Sequence, residues 1–280
     1  MQALVSTGWL ADAIGTQDLR LLDATLFLPG DPRDARAEYG AGHIAGARFM
    51  DLDGLSDPGS ALPHMMPPAP AFAEAMEALG ISGDDRIVIY DNSPLHSAAR
   101  AWWMLRACGA TRVAILDGGM QKWLAEGRPV TGDVPPLVRG RFAARPGTAR
   151  FVDKSAVQAI LREESHGIVD ARSAARFTGE APEPRAGLAS GHVPGSANLP
   201  QDRLFAPDNS FLAPHRLAEV FADAGVDLSR PLVTTCGSGI TAAVLAFAAH
   251  LIGKDDVSLY DGSWAEWGAD PDTPKALGRP

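Results

Sequence analysis

The sequence predicts an α/β protein built from two tandem domains, each a parallel sheet flanked by helices. Three observations carry that expectation. The 280 residues exceed the usual size of one domain, about 100–150 residues. Short β-branched runs alternate with alanine-rich stretches, the pattern of βα units on a parallel sheet. The chain also repeats itself. Leu21-Leu22-Asp23-Ala24 returns as Ile168-Val169-Asp170-Ala171, and Gly42-His43-Ile44-Ala45-Gly46 returns as Gly191-His192-Val193-Pro194-Gly195. Asp117-Gly118 returns as Asp261-Gly262, with Trp123 and Trp267 each following six residues after the aspartate. Collinear matches with offsets of 144–149 residues point to duplication.

Taken in order, Arg20 to Ala24 is the first expected strand, and the Gly-His-x-x-Gly motif around His43 follows it. Because that motif occurs in both copies, it reads as a turn leading into a strand rather than as chemistry. Arg86-Ile87-Val88-Ile89-Tyr90 is a strand, Ala98 to Cys108 a helix that carries Cys108 as core packing, and Arg112 to Leu116 another strand. Gly127 to Gly147 holds four prolines and several glycines without helical or strand period, which is linker composition. The expected domains are residues 1–135 and 151–280, with a linker at 136–150. In the second copy, Ile168 to Ala171, Pro231 to Thr235 and Val257 to Tyr260 are strands, and Ala242 to Leu251 is a helix.

Composition narrows the function classes. Hydrophobic residues at 46% and charged residues at 21% describe a globular chain rather than a disordered or fibrous one. A formal net charge of −9 repels phosphate backbones and anionic membrane surfaces, so no nucleic-acid partner is expected. Met1 to Leu10 has no basic residue, and no run approaches the ~20 apolar residues of a membrane span, so neither a signal peptide nor a membrane anchor is expected. Two cysteines, Cys108 and Cys236, cannot form a multi-disulfide framework, and a reducing cytoplasm is expected.

In open α/β sheets ligands bind beyond the carboxyl ends of strands, so the loops after Tyr90 and Thr235 are the first candidates. Aligning the copies sets Asp91 opposite Cys236. Cys236 heads the loop Cys236-Gly237-Ser238-Gly239-Ile240-Thr241, and the helix that follows points its N-terminus back at the sulfur. Unpaired N–H groups and the positive end of a helix favour thiolate over thiol there, and the two glycines let the amides curl inward. A reactive cysteine is expected. Asp91 offers no nucleophilic sulfur, so the first domain is expected to be catalytically silent. Position 242 is alanine, which lacks the arginine a cysteine phosphatase needs six residues after its nucleophile. No paired Cys or His has zinc spacing, and no Gly-Lys-Ser/Thr follows the glycines, so no metal or organic cofactor is expected.

A cysteine-headed six-residue loop in the second of two α/β copies with Gly-His-x-x-Gly motifs resembles the rhodanese sulfurtransferase superfamily over essentially the whole chain. The uncharged loop is similar to that of its 3-mercaptopyruvate branch, with Ile240 in place of the more usual valine; the thiosulfate branch carries basic residues after the cysteine. The resemblance implies substrate contacts from Gly237, Gly239, Ile240 and Thr241. It also implies that Arg176 and Arg185, nine residues apart, hold the carboxylate and keto oxygens of 3-mercaptopyruvate. It further implies a proton relay of Asp53, His64 and Ser238, consistent with a carboxylate-oriented histidine acting through a hydroxyl. The implied product is a Cys236 persulfide, passed to a thiol acceptor such as thioredoxin or a small thiol, or to cyanide. A thiosulfate sulfurtransferase and a non-enzymatic sulfur carrier remain as alternatives.

Overall fold

The structure is a computed structural model that describes every residue except 135, 137 and 280. It has two compact units. The first comprises Met1–Asp57, Met66–Thr148 and Phe205–Phe211, and the second Pro58–Met65, Ala149–Leu204 and Leu212–Pro280. The units are therefore not two uninterrupted halves of the chain: residues 58–65 group with the second and 205–211 with the first. The expected boundary at residue 135 lies outside the described residues.

The first unit has a five-stranded parallel sheet of β1 (Leu4–Val5), β2 (Leu19–Asp23), β3 (Ala47–Phe49), β4 (Arg86–Tyr90) and β5 (Val113–Leu116), in the order β1-β5-β4-β2-β3. The second repeats it with β6 (Arg150–Val152), β7 (Gly167–Asp170), β8 (Ala197–Asn198), β9 (Leu232–Thr235) and β10 (Val257–Tyr260), in the order β6-β10-β9-β7-β8, again all parallel. The α/β class and parallel sheets are as the sequence predicts. β4 and β5 carry continuous apolar runs, because a parallel sheet covered by helices buries both faces. β9 is buried at every position.

Helix patterning follows the same logic. The helix Ala242–Leu251, which leaves the Cys236 loop, is apolar nearly all round and buries its first eight residues. Burying Phe247 there contributes roughly 1.5–3 kcal/mol. The helix Lys154–Glu163 instead buries only Val157 and Ile160, three apart on one face, and Asp153 caps it by accepting the Ala156 N–H at 2.8 Å. Each core holds the repeated tryptophan. Trp123 donates its indole N–H to Pro129 O at 2.9 Å, and Trp267 to Pro274 O at 2.8 Å.

The Gly-His-x-x-Gly motifs lead into β3 and β8, and both histidines are buried. His43 stacks on Tyr39 and His192 on Phe177, each ring bonded through Nδ1 to the carbonyl of the residue it stacks on.

Residues 140–147 of the stretch expected as a linker pack against the first unit. Phe142 is buried edge-on against Phe72, Gly140 donates to Glu77 O and Gly147 to Ala107 O. A Cβ at Gly140 would lie 2.0 Å from Ile81 O, and one at Gly147 only 1.8 Å from Arg106 O. Gly140 and Gly147, read in sequence as linker composition, serve close backbone approach.

Candidate functional site

The candidate site is the strand–loop–helix turn between β9 and Ala242–Leu251. Cys236 is buried, 2% exposed, at the end of the strand. Gly239 turns at φ +80°, in the left-handed region that favours glycine, and its N–H donates to Cys236 Sγ at 3.1 Å. Ile240 is buried, and Thr241 takes the N-cap position without a side-chain cap bond. The turn after β10 clamps the loop from the other side. Trp264 N–H donates to Cys236 O at 3.0 Å and Ala265 N–H to Gly237 O at 2.9 Å, while Ser263 Oγ accepts the Cys236 N–H at 3.2 Å.

His64 lies within hydrogen-bond reach of this loop. Its Nδ1 is 2.8 Å from Ser238 Oγ, and both side chains are buried. Sequence proximity placed His64 in the first domain, whereas the structure groups residues 58–65 with the second unit, so both partners belong to one unit. His64 itself sits at φ +60°, uncommon for a residue with a side chain. Asp53 belongs to the first unit, exposed in the turn at residues 52–55.

Arg176 approaches the loop from the short helix Ala174–Thr178. A Cβ on Gly237 would lie 3.0 Å from Arg176 Nη2. The guanidinium is tethered, with Nε donating to Glu183 Oε1 at 3.2 Å and Nη2 to Glu183 Oε2 at 2.5 Å. Glu183 also accepts from Arg172 Nη1 at 2.7 Å, and Arg172 forms a fork with Asp170 and lies 4.3 Å over the Trp264 ring. Arg172, Asp170 and Glu183 side chains are all 1–2% exposed. Burial opposes the charge on Arg172, but the carboxylates of Asp170 and Glu183 outweigh it and hold its pKa above the ordinary guanidinium value. Arg185 is half-buried two residues beyond Glu183.

Sequence reasoning singled out neither Arg172, Glu183 nor Ser263. A charged residue two positions past the end of β7 was the available signal for Arg172, since strand ends are where α/β sheets place their sites. Among the described residues, no cluster of three or more His, Cys, Asp or Glu could hold a metal ion, and no helix is long and apolar enough to cross a membrane.

The corresponding loop of the first unit, after β4, closes on itself. Asp91 Oδ1 accepts the Ser93 N–H at 3.0 Å and Oδ2 the Ala98 N–H at 2.8 Å, so the loop amides bind a resident carboxylate. Burial pushes that carboxyl up to about 7, against the pull of the two N–H donors. Phe205 stacks on His96 with centroids 3.5 Å apart, and burial lowers the His96 pKa to about 4. Phe205, Asn209 and Phe211 help enclose a cavity of about 20 Å³ beside Asp91.

Comparison with known proteins agrees with this architecture. The Rhodanese-like domain family matches residues 6–126 and 153–270. The 3-mercaptopyruvate sulfurtransferase of Rattus norvegicus is 42% identical over 272 residues, covering 95% of this chain and 92% of the relative. The thiosulfate sulfurtransferase of Cricetulus griseus is 41% identical over 287 residues, covering 99% and 96%. Among solved structures, the 3-mercaptopyruvate sulfurtransferase SseA from Escherichia coli superposes with a TM-score of 0.86 at 37% identity, over 94% of this chain and 99% of SseA. With two matched domains and a relative of this identity over nearly its full length, the chain belongs to the rhodanese family.

Proposed function

We propose that this protein is a 3-mercaptopyruvate sulfurtransferase with Cys236 as its nucleophile. The observation that carries the reading is the uncharged loop with Arg176 tethered beside it: Sγ accepts the Gly239 N–H, and positive charge comes from outside the loop. Such a site suits a donor whose anionic group is separated from its transferable sulfur. Arg176 and Arg185 bind the carboxylate and keto oxygens, and Gly237, Gly239, Ile240 and Thr241 line the place of the transferring sulfur.

The Cys236 thiolate attacks the substrate sulfur, forming the S–S bond as the C–S bond breaks. The electron pair of that bond leaves with pyruvate as its enolate, stabilised by the keto-binding arginine. The proton of the substrate thiol is delivered to the enolate carbon through Ser238 and His64. The balance is one thiolate and one mercaptopyruvate to one persulfide anion and one pyruvate. A thiol acceptor such as thioredoxin or a small thiol, or cyanide, then attacks the outer sulfur and restores the Cys236 thiolate. The first unit, with Asp91 at the nucleophile position, is catalytically silent. The two-cysteine, acidic composition fits a reducing cytoplasm.

Treatment with 3-mercaptopyruvate is expected to add one sulfur to the peptide containing Cys236 while pyruvate appears in solution. Pyruvate release without that modification sinks the nucleophile assignment. The thiosulfate sulfurtransferase of Cricetulus griseus favours a second reading, in which thiosulfate is the better donor. Comparing kcat/KM for the two donors decides between them, and a clear thiosulfate preference overturns the first.

A further inference from the structure

Both copies place a left-handed residue directly after their repeated Asp-Gly pair. In the first unit it is Gly119 at φ +56°, and in the second Ser263 at φ +49°, fully buried. The two turns share one backbone hydrogen bond, although the glycines before these residues differ, Gly118 at φ +81° and Gly262 at φ −64°. Met120 N–H donates to Asp91 O at 2.9 Å, as Trp264 N–H donates to Cys236 O. Glycine is adequate for that hydrogen bond and avoids the steric cost of a positive φ. A side chain is not even admissible in the first copy, where a Cβ on Gly119 would lie 2.6 Å from Asp91 O. Serine therefore stands in a conformation that disfavours it, in the one copy whose loop begins with cysteine.

The hydroxyl explains its presence. Ser263 Oγ donates to Tyr260 O at 2.8 Å and accepts the Cys236 N–H at 3.2 Å, so its single proton and one lone pair are both engaged. Strained residues persist where the surrounding structure over-determines them, and they cluster at functional sites.

We propose that Ser263 is a positioning residue for the nucleophile. Its hydroxyl fixes the Cys236 amide, and with it the direction from which Sγ reaches the Gly239 N–H. The inference rests on the reading of Cys236 as the sulfur acceptor. Without the hydroxyl the buried Cys236 N–H has lost its acceptor, and the loop turns to satisfy it at the expense of the contact to sulfur.

Two variants separate this role from a structural one. Ser263→Gly removes the hydroxyl and relieves the backbone, whereas Ser263→Ala removes the hydroxyl and keeps the strain. The rate of Cys236 alkylation by iodoacetamide is followed against pH by peptide mass, beside Tm and pyruvate release. Both variants are expected to alkylate about tenfold more slowly at neutral pH, with the half-maximal pH shifted upward. Turnover falls with alkylation, and KM for mercaptopyruvate stays within about twofold because the arginines are untouched. Tm moves apart, holding or rising in the glycine variant and falling in the alanine variant. A wild-type alkylation profile in Ser263→Gly overturns the proposal, as do reactivities that track Tm rather than loss of the hydroxyl. Alkylation does not depend on the donor, so a wild-type protein that fails to release pyruvate refutes the mercaptopyruvate reading while the serine comparison still stands.

Discussion

The two copies carry the same strand–loop–helix turn with opposite outcomes. After β4 the loop amides are occupied by the carboxylate of Asp91, and aromatic residues of the 205–211 segment help enclose it. After β9 an amide of the loop points at the sulfur of Cys236, and His64 of the 58–65 segment reaches the loop serine. Those two segments hold corresponding places in the repeat, each between the third strand of its copy and the helix, Ala69–Ala78 or Pro214–Asp223, that precedes the loop-bearing strand. The fold thus supplies an anion-receptive turn twice. What distinguishes the copies is the occupant of the turn and the side chain that covers it. A second contrast lies one strand away: Asp23 is satisfied by the Thr25 N–H and hydroxyl, whereas its counterpart Asp170 is satisfied by the Arg172 guanidinium.

The largest test removes the occupant of the second turn. Cys236→Ser is expected to abolish pyruvate release, while Cys108→Ala retains it, because burial raises the Cys108 thiol to about 11 and keeps it inert. Loss of activity in the second variant with retention in the first would reverse the roles given to the two thiols.

Giving the second copy the polar partner of the first is the next step. Arg172→Thr leaves Asp170 and Glu183 buried without their shared cation, and urea unfolding is expected to show a loss of about 3–5 kcal/mol. KM for mercaptopyruvate should rise with it, because Glu183 is the tether of Arg176. A rise in KM without loss of stability would mean that Arg172 contacts substrate directly.

Titration of Asp91 sharpens the comparison from the silent side. Its folded pKa of about 7 stands above the ordinary 3.8, so the fold binds this proton more tightly than the unfolded chain does. The stability it contributes is present below about pH 4 and is lost as pH rises through 7. Between those limits the wild type is expected to lose on the order of 2–4 kcal/mol more than Asp91→Asn, which cannot ionise. Equal slopes for the two proteins in urea unfolding from pH 4 to 8 would show that Asp91 ionises freely.

The smallest effect concerns charge geometry. Arg176→Lys keeps the charge but cannot hold Glu183 with two nitrogens and a substrate carboxylate with a third. A rise in KM of about tenfold, or roughly 1.4 kcal/mol, with kcat little changed is expected. Unchanged kinetics would remove Arg176 from the binding site.

Much of this architecture was legible in the sequence because apolar runs record burial on both faces of a sheet. The strands 86–90 and 257–260 and the helix 242–251 coincide with expectation. β1, β3, β6 and β8 have only two or three residues, too few to show a period. The grouping of 58–65 and 205–211 was illegible for another reason: local pattern says that a segment is a loop, not which core it joins. Glu183 and Arg172 resemble surface residues in sequence, and only tertiary structure shows that each is buried by the other. Ser263 was hidden by its ordinary identity, because a backbone dihedral leaves no trace in composition.

The gap at Gly237 has an evolutionary consequence. The space a side chain would need there is already bounded by the Nη2 of Arg176, whose end is not loose but held by Glu183. A lineage that moved its positive charge into the loop at position 237 would first have to release that guanidinium, and so pass through a protein with neither arrangement intact. Positions 176, 183 and 237 are therefore expected to change together or not at all.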